Sequence, residues 1–99
     1  MPKLHHNYYT YITSNPGRTV LYTGVTNNLQ VRVRQHMDNR GNPETFAGKF
    51  FCYNLVYYEY IQNIEQAIAR EKEIKDMSRE MKIELIKTIN PKMHTLKPW

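Results

Sequence analysis

One cysteine in ninety-nine residues excludes an internal disulfide framework and a cysteine-based zinc site. That residue, Cys52, lies in the apolar and aromatic run Phe50 to Tyr60, where a small buried side chain is its simplest reading. No window approaches the ~20 apolar residues of a membrane span, and the start Met1-Pro2-Lys3-Leu4-His5-His6 lacks the apolar core of a signal peptide. A cytoplasmic protein without membrane association is expected. Internal repeats, low-complexity tracts and linkers are also absent, so one domain spanning 1–99 is expected, with a core over about 7–90 and a tail over 91–99. Acidic residues are scarce, nine against fourteen Lys and Arg, giving a formal charge of +5 and a pI near 9.4. Such a balance favours an anionic partner, and the eight tyrosines suit stacking on or hydrogen bonding to nucleic acid. A solvated lysine face gives the same composition, so charge alone leaves nucleic-acid binding open.

The patterning is informative where the composition is not. Tyr8-Tyr9-Thr10-Tyr11-Ile12-Thr13 and Thr19-Val20-Leu21-Tyr22-Thr23-Gly24-Val25-Thr26 are aromatic and β-branched runs, typical of strands. Between them Ser14-Asn15-Pro16-Gly17-Arg18 is turn chemistry, with Gly17 available for a positive φ, which predicts an antiparallel hairpin with Tyr9 and Tyr11 on one face. Asn27 or Asn28 can cap a helix in which Leu29, Val33 and Met37 form a buried stripe and Gly41 is the stop. Arg32 and His36 sit four residues apart along one edge of that stripe, expected neither buried outright nor fully in solvent. Gly24 would let backbone or a ligand approach the strand end. Asp38 to Lys49 reads as a loose loop, Phe50 to Tyr60 as a third strand, Asn63 with Gln66 as a capping box opening a helix to about Asp76, and Ser78 as the cap of a last helix to about Thr88. The order is ββα, loop, βαα: an α+β fold with a small three-stranded, largely antiparallel sheet flanked by helices.

Tyr9-Thr10-Tyr11, Leu21-Tyr22-Thr23-Gly24, Thr26, Asn28-Leu29, Arg32 and His36, followed by Leu55 to Glu59, Glu65 to Lys75, Ser78-Arg79 and Ile89-Asn90-Pro91, together resemble the GIY-YIG nuclease domain. The likeness covers nearly the whole chain and is nearest to the small bacterial branch related to the nuclease subunit of excision repair. It implies the same fold and a metal-dependent endonuclease that hydrolyses DNA phosphodiester bonds in repair or processing. Tyr11 and Tyr22 match the two motif tyrosines, and the family's metal-binding glutamate falls at Glu71. Three positions depart from the pattern. Tyr9 stands where the first motif has glycine, Thr23 replaces the motif isoleucine, and Val25 occupies a place where some relatives carry lysine. A lysine must then come from elsewhere, with Lys49 as the candidate, or be dispensed with.

The residues themselves carry a parallel reading. Ile64, Ala67, Ile68 and Ile74 define an apolar stripe with Glu71 near its centre, whereas Glu73 falls on the solvated face. Either Glu71 pairs with Arg32 or a neighbouring lysine, or it holds a metal. A single carboxylate suits Mg²⁺ or Mn²⁺, which retain waters and accept phosphate oxygen. Arg32 offers a fixed, permanently charged fork to a phosphate. A tyrosine needs a nearby cation to act as base, and either Tyr11 or Tyr22 could orient the water. His36 suits base, acid or phosphate contact, or simply the core margin. Gly24, Thr26 and Lys49 are the candidate substrate contacts.

Arg70, Lys72, Lys75, Arg79, Lys82 and Lys87 crowd the last two helices, but interleaved Glu65, Glu73, Glu80 and Glu84 favour a salt-bridged solvent face over a backbone track. His5, His6 and His94 show no metal-ligand spacing. Nothing resembles base-specific readout. Two alternatives to an autonomous nuclease remain: a non-catalytic nucleic-acid-binding module on this scaffold, or a nuclease subunit that works only with a protein partner. Oligomeric state leaves no mark in the sequence.

Overall fold

The computed structural model describes residues 7–98; His5, His6 and Trp99 lie outside them. The two tyrosine-rich runs form β1 (Tyr8–Ser14) and β2 (Leu21–Thr26), paired antiparallel with Tyr11 opposite Gly24. Their turn is organised by Asn15, whose side-chain oxygen accepts from Thr19 N at 2.8 Å and Val20 N at 3.0 Å. Those two amides are thereby diverted from the ladder, so β2 starts at Leu21 instead of Thr19. The positive φ of this turn belongs to Arg18, at 59°, and not to Gly17. Arg18 is held there by its guanidinium, which donates to Met93 O at 2.9 Å and Thr95 Oγ1 at 3.0 Å.

Asn28 caps α1 (Leu29–Asp38) by accepting from Val31 N. This helix ends at Asp38 with Asn39 as its C-cap, short of Gly41, which takes a φ of 87° in the following turn. The expected loose loop contains a single helical turn, α2 (Phe46–Lys49), capped by Thr45 accepting from Gly48 N at 3.0 Å. A Cβ at Gly48 would meet three oxygens at 2.6 to 2.7 Å, those of Asn42, Asn39 and Thr45, so only glycine permits this closure. Cys52 N then bonds Ala47 O at 2.8 Å and Phe51 sits at a φ of 59°. That kink delays β3 to Asn54–Ile61.

β3 pairs antiparallel with β1, giving a three-stranded antiparallel sheet in the order β2-β1-β3. A bulge after Ile12 sets Tyr57 opposite Ile12 and Leu55 opposite Thr13. α3 (Ile64–Lys75) and α4 (Arg79–Lys87) follow, capped by Asn63 accepting from Glu65 N and Gln66 N, the N-cap half of the expected capping box, and by Ser78 accepting from Met81 N. The sheet separates two cores. Ile12, Val56, Tyr57, Ile74 and Ile86 pack under α3 and α4, while Tyr11, Leu55, Leu29 and Val33 pack under α1. Each fully buried aliphatic side chain contributes roughly 2 kcal/mol, and Cys52 joins the interior as a free thiol.

The tail packs back on the domain. Asn90, 5% exposed, donates to Val56 O at 2.9 Å and His94 O at 2.8 Å and accepts from His94 N at 3.1 Å. Leu96 N then bonds Leu55 O at 2.7 Å, and the Leu96 side chain joins the α1 core. Among the described residues no helix is long and apolar enough to cross a membrane.

Candidate active site

Central strand β1 presents Tyr11 toward α1, fully buried. The absent Cβ at Gly24 makes room for it: a carbon there would lie 2.5 Å from the Tyr11 hydroxyl and 2.7 Å from its Cζ. The space expected to admit a ligand at Gly24 is thus filled by the Tyr11 ring.

From α1, Arg32 Nε donates to the Tyr11 hydroxyl at 3.2 Å, and His36 Nε2 lies 2.8 Å from the same oxygen. His36 is 5% exposed and Met37 40% exposed, the reverse of the expected stripe. The cause is helical drift: each four-residue step advances the face by about 40°, so after two steps the position seven residues after Leu29 points inward better than the position eight after it. Tyr22, two residues before Gly24 on the same face of β2, completes the cluster. Its ring centroid lies 5.4 Å from that of His36 and 6.4 Å from that of Tyr11. Phe46 of α2 lies nearly parallel to the Tyr22 ring, 6.2 Å away between centroids. Tyr22, Arg32, His36, Asn39 and Phe46 line a cavity of about 160 Å³.

Burial pushes the Tyr11 hydroxyl up to about 12, the Arg32 charge opposing that rise and the Glu71 carboxylate adding to it. Burial, followed by the Arg32 charge, pulls His36 down to about 4. Burial disfavours the Arg32 charge, yet the Tyr11 and Tyr22 hydroxyls more than offset it and hold the guanidinium above its ordinary value. A neutral imidazole accepts at Nε2 once its proton sits on Nδ1, so the hydrogen bonds run from Arg32 to Tyr11 to His36. Arg32 also donates to Gln35 Oε1 at 3.1 Å, fixing the fork.

Glu71 lies beside the buried line of α3. Ala67 and Ile74 are inside, but Ile64 and Ile68 are 38% and 39% exposed, so the true stripe is narrower than expected. The Glu71 side chain is 20% exposed and pairs with Lys75 Nζ at 3.1 Å. Of the two cation partners weighed from sequence, a neighbouring lysine is the one present. Among the described residues no group of three or more His, Cys, Asp or Glu could share a metal ion. One carboxylate, with a half-exposed lysine free to swing aside, still fits a hard divalent cation that keeps most of its waters. Glu73 is solvated and takes a salt bridge from Arg70, whose fork also clasps Glu59 at 2.8 Å.

The remaining candidates fall outside the cavity. The Thr26 hydroxyl is engaged in the turn into α1, accepting from Asn28 N at 3.1 Å and donating to Asn28 O at 3.2 Å. Lys49 lies over the Phe50 ring, 5.5 Å from its centroid. Phe46, which the sequence reading missed, had one local signal: Thr45 three residues before Gly48, a cap spacing inside the apparent loop.

Comparison with known proteins agrees with this architecture. The family model of the GIY-YIG catalytic domain matches residues 7–84, and the chain belongs to that family, a nuclease fold. Its relatives include a UPF0213 protein of Clostridium perfringens, 39% identical over 66 residues, covering 67% of this chain and 69% of that one. A UPF0213 protein of Pediococcus acidilactici is 34% identical over 82 residues and 83% of each chain. The solution NMR structure of a UPF0213 protein from Bacillus halodurans superposes with a TM-score of 0.55 at 28% identity, over 90% of this chain and 92% of that one.

Proposed function

We propose that the protein is a divalent-metal-dependent endonuclease that hydrolyses DNA phosphodiester bonds, with Tyr11, Tyr22, Arg32 and His36 as the reacting cluster and Glu71 as the metal anchor. The observation that carries this reading is the Tyr11 hydroxyl, buried and shared at 3.2 and 2.8 Å between Arg32 and His36, two residues that line a cavity together with Tyr22. A core built only for stability gains little from an arginine, an imidazole and a phenol converging on one oxygen.

In this reading Arg32 binds the scissile phosphate with its remaining donors and stabilises the charge that grows on the transition-state oxygens. Tyr11, fully buried, fixes Arg32 and His36 at the cavity, and Tyr22, whose side chain lines it, orients the attacking water. The resting pair keeps its proton on Tyr11, because burial raises the phenol and lowers the imidazole. Tyr22 closes the cavity wall and excludes bulk water. Glu71 would hold Mg²⁺ or Mn²⁺, which when bound would supply Lewis-acid stabilisation of the phosphate and acidify water.

Val25 at the lysine position and Lys49 outside the cavity favour a second reading, a binding module without chemistry. Incubating the wild-type protein with duplex, nicked, flapped and single-stranded DNA in Mg²⁺, Mn²⁺ or chelator separates the two. Products that need the metal support the nuclease; binding without products under any condition supports the module.

A further inference from the structure

A second groove adjoins the cavity across the Tyr22 and Phe46 rings. It has a volume of about 290 Å³ and is lined by Leu21, Tyr22, Thr23, Phe46, Lys75 and Lys82. β2 is an edge strand, so the groove opens along the border of the sheet where an extended polymer meets no further strand. Lysines from two different helices line it, Lys75 of α3 and Lys82 of α4. Lys75 keeps its ion pair with Glu71 at 3.1 Å while its side chain is half exposed. Lys82 is partly buried and pairs with no carboxylate among the described residues. An anion entering the groove would therefore displace no existing carboxylate from Lys82.

We propose that Lys75 and Lys82 form a phosphate-binding subsite for the nucleotide next to the scissile one, supplying the positive charge that Val25 does not. The inference rests on the nuclease reading for its orientation, with the strand running from Arg32 over the Tyr22–Phe46 wall to the two lysines. It separates these residues from the rest of the basic surface. Arg70 is committed to Glu59 and Glu73, and Lys87 lies on the exposed last turn of α4. The Glu71 pair also holds the Lys75 ammonium at the boundary between groove and metal anchor, so a cation on Glu71 would release Lys75 wholly to the phosphate.

The test is fluorescence anisotropy with a short fluorescein-labelled DNA duplex in chelator, with affinity measured across a salt series. Lys82→Ala lowers the slope of log Kd against log salt by about one, Lys75→Ala by less because Glu71 shares its charge in chelator, and the double variant by more than either, through lost counterion release. Lys75→Arg and Lys82→Arg keep the slope, which separates charge from folding, and Lys87→Ala serves as the solvent-face control. Unchanged slopes in both alanine variants, or equal losses in Lys87→Ala, overturn the subsite. Wild-type cleavage with unchanged slopes would remove the subsite and leave the nuclease standing. Slope losses from a protein that cuts nothing would keep the subsite and remove the nuclease.

Discussion

The Tyr11 hydroxyl and His36 Nε2 lie 2.8 Å apart inside the protein, with the imidazole 5% exposed. Burial holds His36 at about 4, against ~6.5 in an unfolded chain. Between those values the unfolded chain binds the extra proton, so His36 withdraws stability as pH falls from about 6.5 to 4 and leaves it intact above 6.5. The shift corresponds to about 3 kcal/mol. Urea unfolding of wild type and His36→Gln at pH 7.5 and 4 is expected to show the acid-side loss smaller in the variant by roughly that amount. An equal loss in both would mean that His36 is not held neutral by the fold.

Gly24→Ala tests the slot under Tyr11. The new methyl would lie 2.5 Å from the hydroxyl, and a ring tied to Arg32 and His36 cannot retreat without breaking those bonds. A stability cost of about 1–3 kcal/mol is expected. Loss of cleavage should exceed what that destabilisation explains. A variant that keeps wild-type cleavage would show that the Tyr11 oxygen need not stay where it is.

Arg32→Lys retains the charge but loses the fork that serves Tyr11 and Gln35 together. Cleavage should fall by about 100-fold or more, while DNA affinity in chelator falls far less. Parallel losses in both would assign Arg32 to uniform substrate binding.

Asn90→Ala removes two donors, to Val56 O and His94 O, and strands a buried carbonyl. The expected cost is about 1–3 kcal/mol, accompanied by faster proteolysis within residues 91–98. Unaltered protease resistance would mean that the tail is held by Leu96 instead.

The strands and helix caps were legible because each depends on local chemistry. Asn28, Asn63 and Ser78 accept from the amides that their positions predict. Features set by tertiary closure were not. Met37 and His36 are neighbours on α1; helical drift favours His36 for the inward place, and the Tyr11 oxygen beneath it supplies the partner that a buried imidazole needs. Asp38 to Lys49 looked loose because glycine and asparagine mark turns, yet Gly48 is what lets the chain close onto Asn39 and Asn42. Within the candidate site, Tyr11, Tyr22, Arg32 and His36 converge as their order suggested, whereas Thr26 is absorbed by its own turn and Lys49 by Phe50. Lys75 and Lys82 were hidden among interleaved charges, since only the fold brings the start of α4 beside the end of α3 at β2.

The most direct measurement compares wild type with Glu71→Ala in a DNA cleavage assay under Mg²⁺, Mn²⁺ and chelator, with circular dichroism as a check on folding. Glu71 pairs only with the half-exposed Lys75 among the described residues, so its removal should leave the fold intact. The account predicts metal-dependent products from wild type and none from the folded variant. Products retained by Glu71→Ala would contradict it.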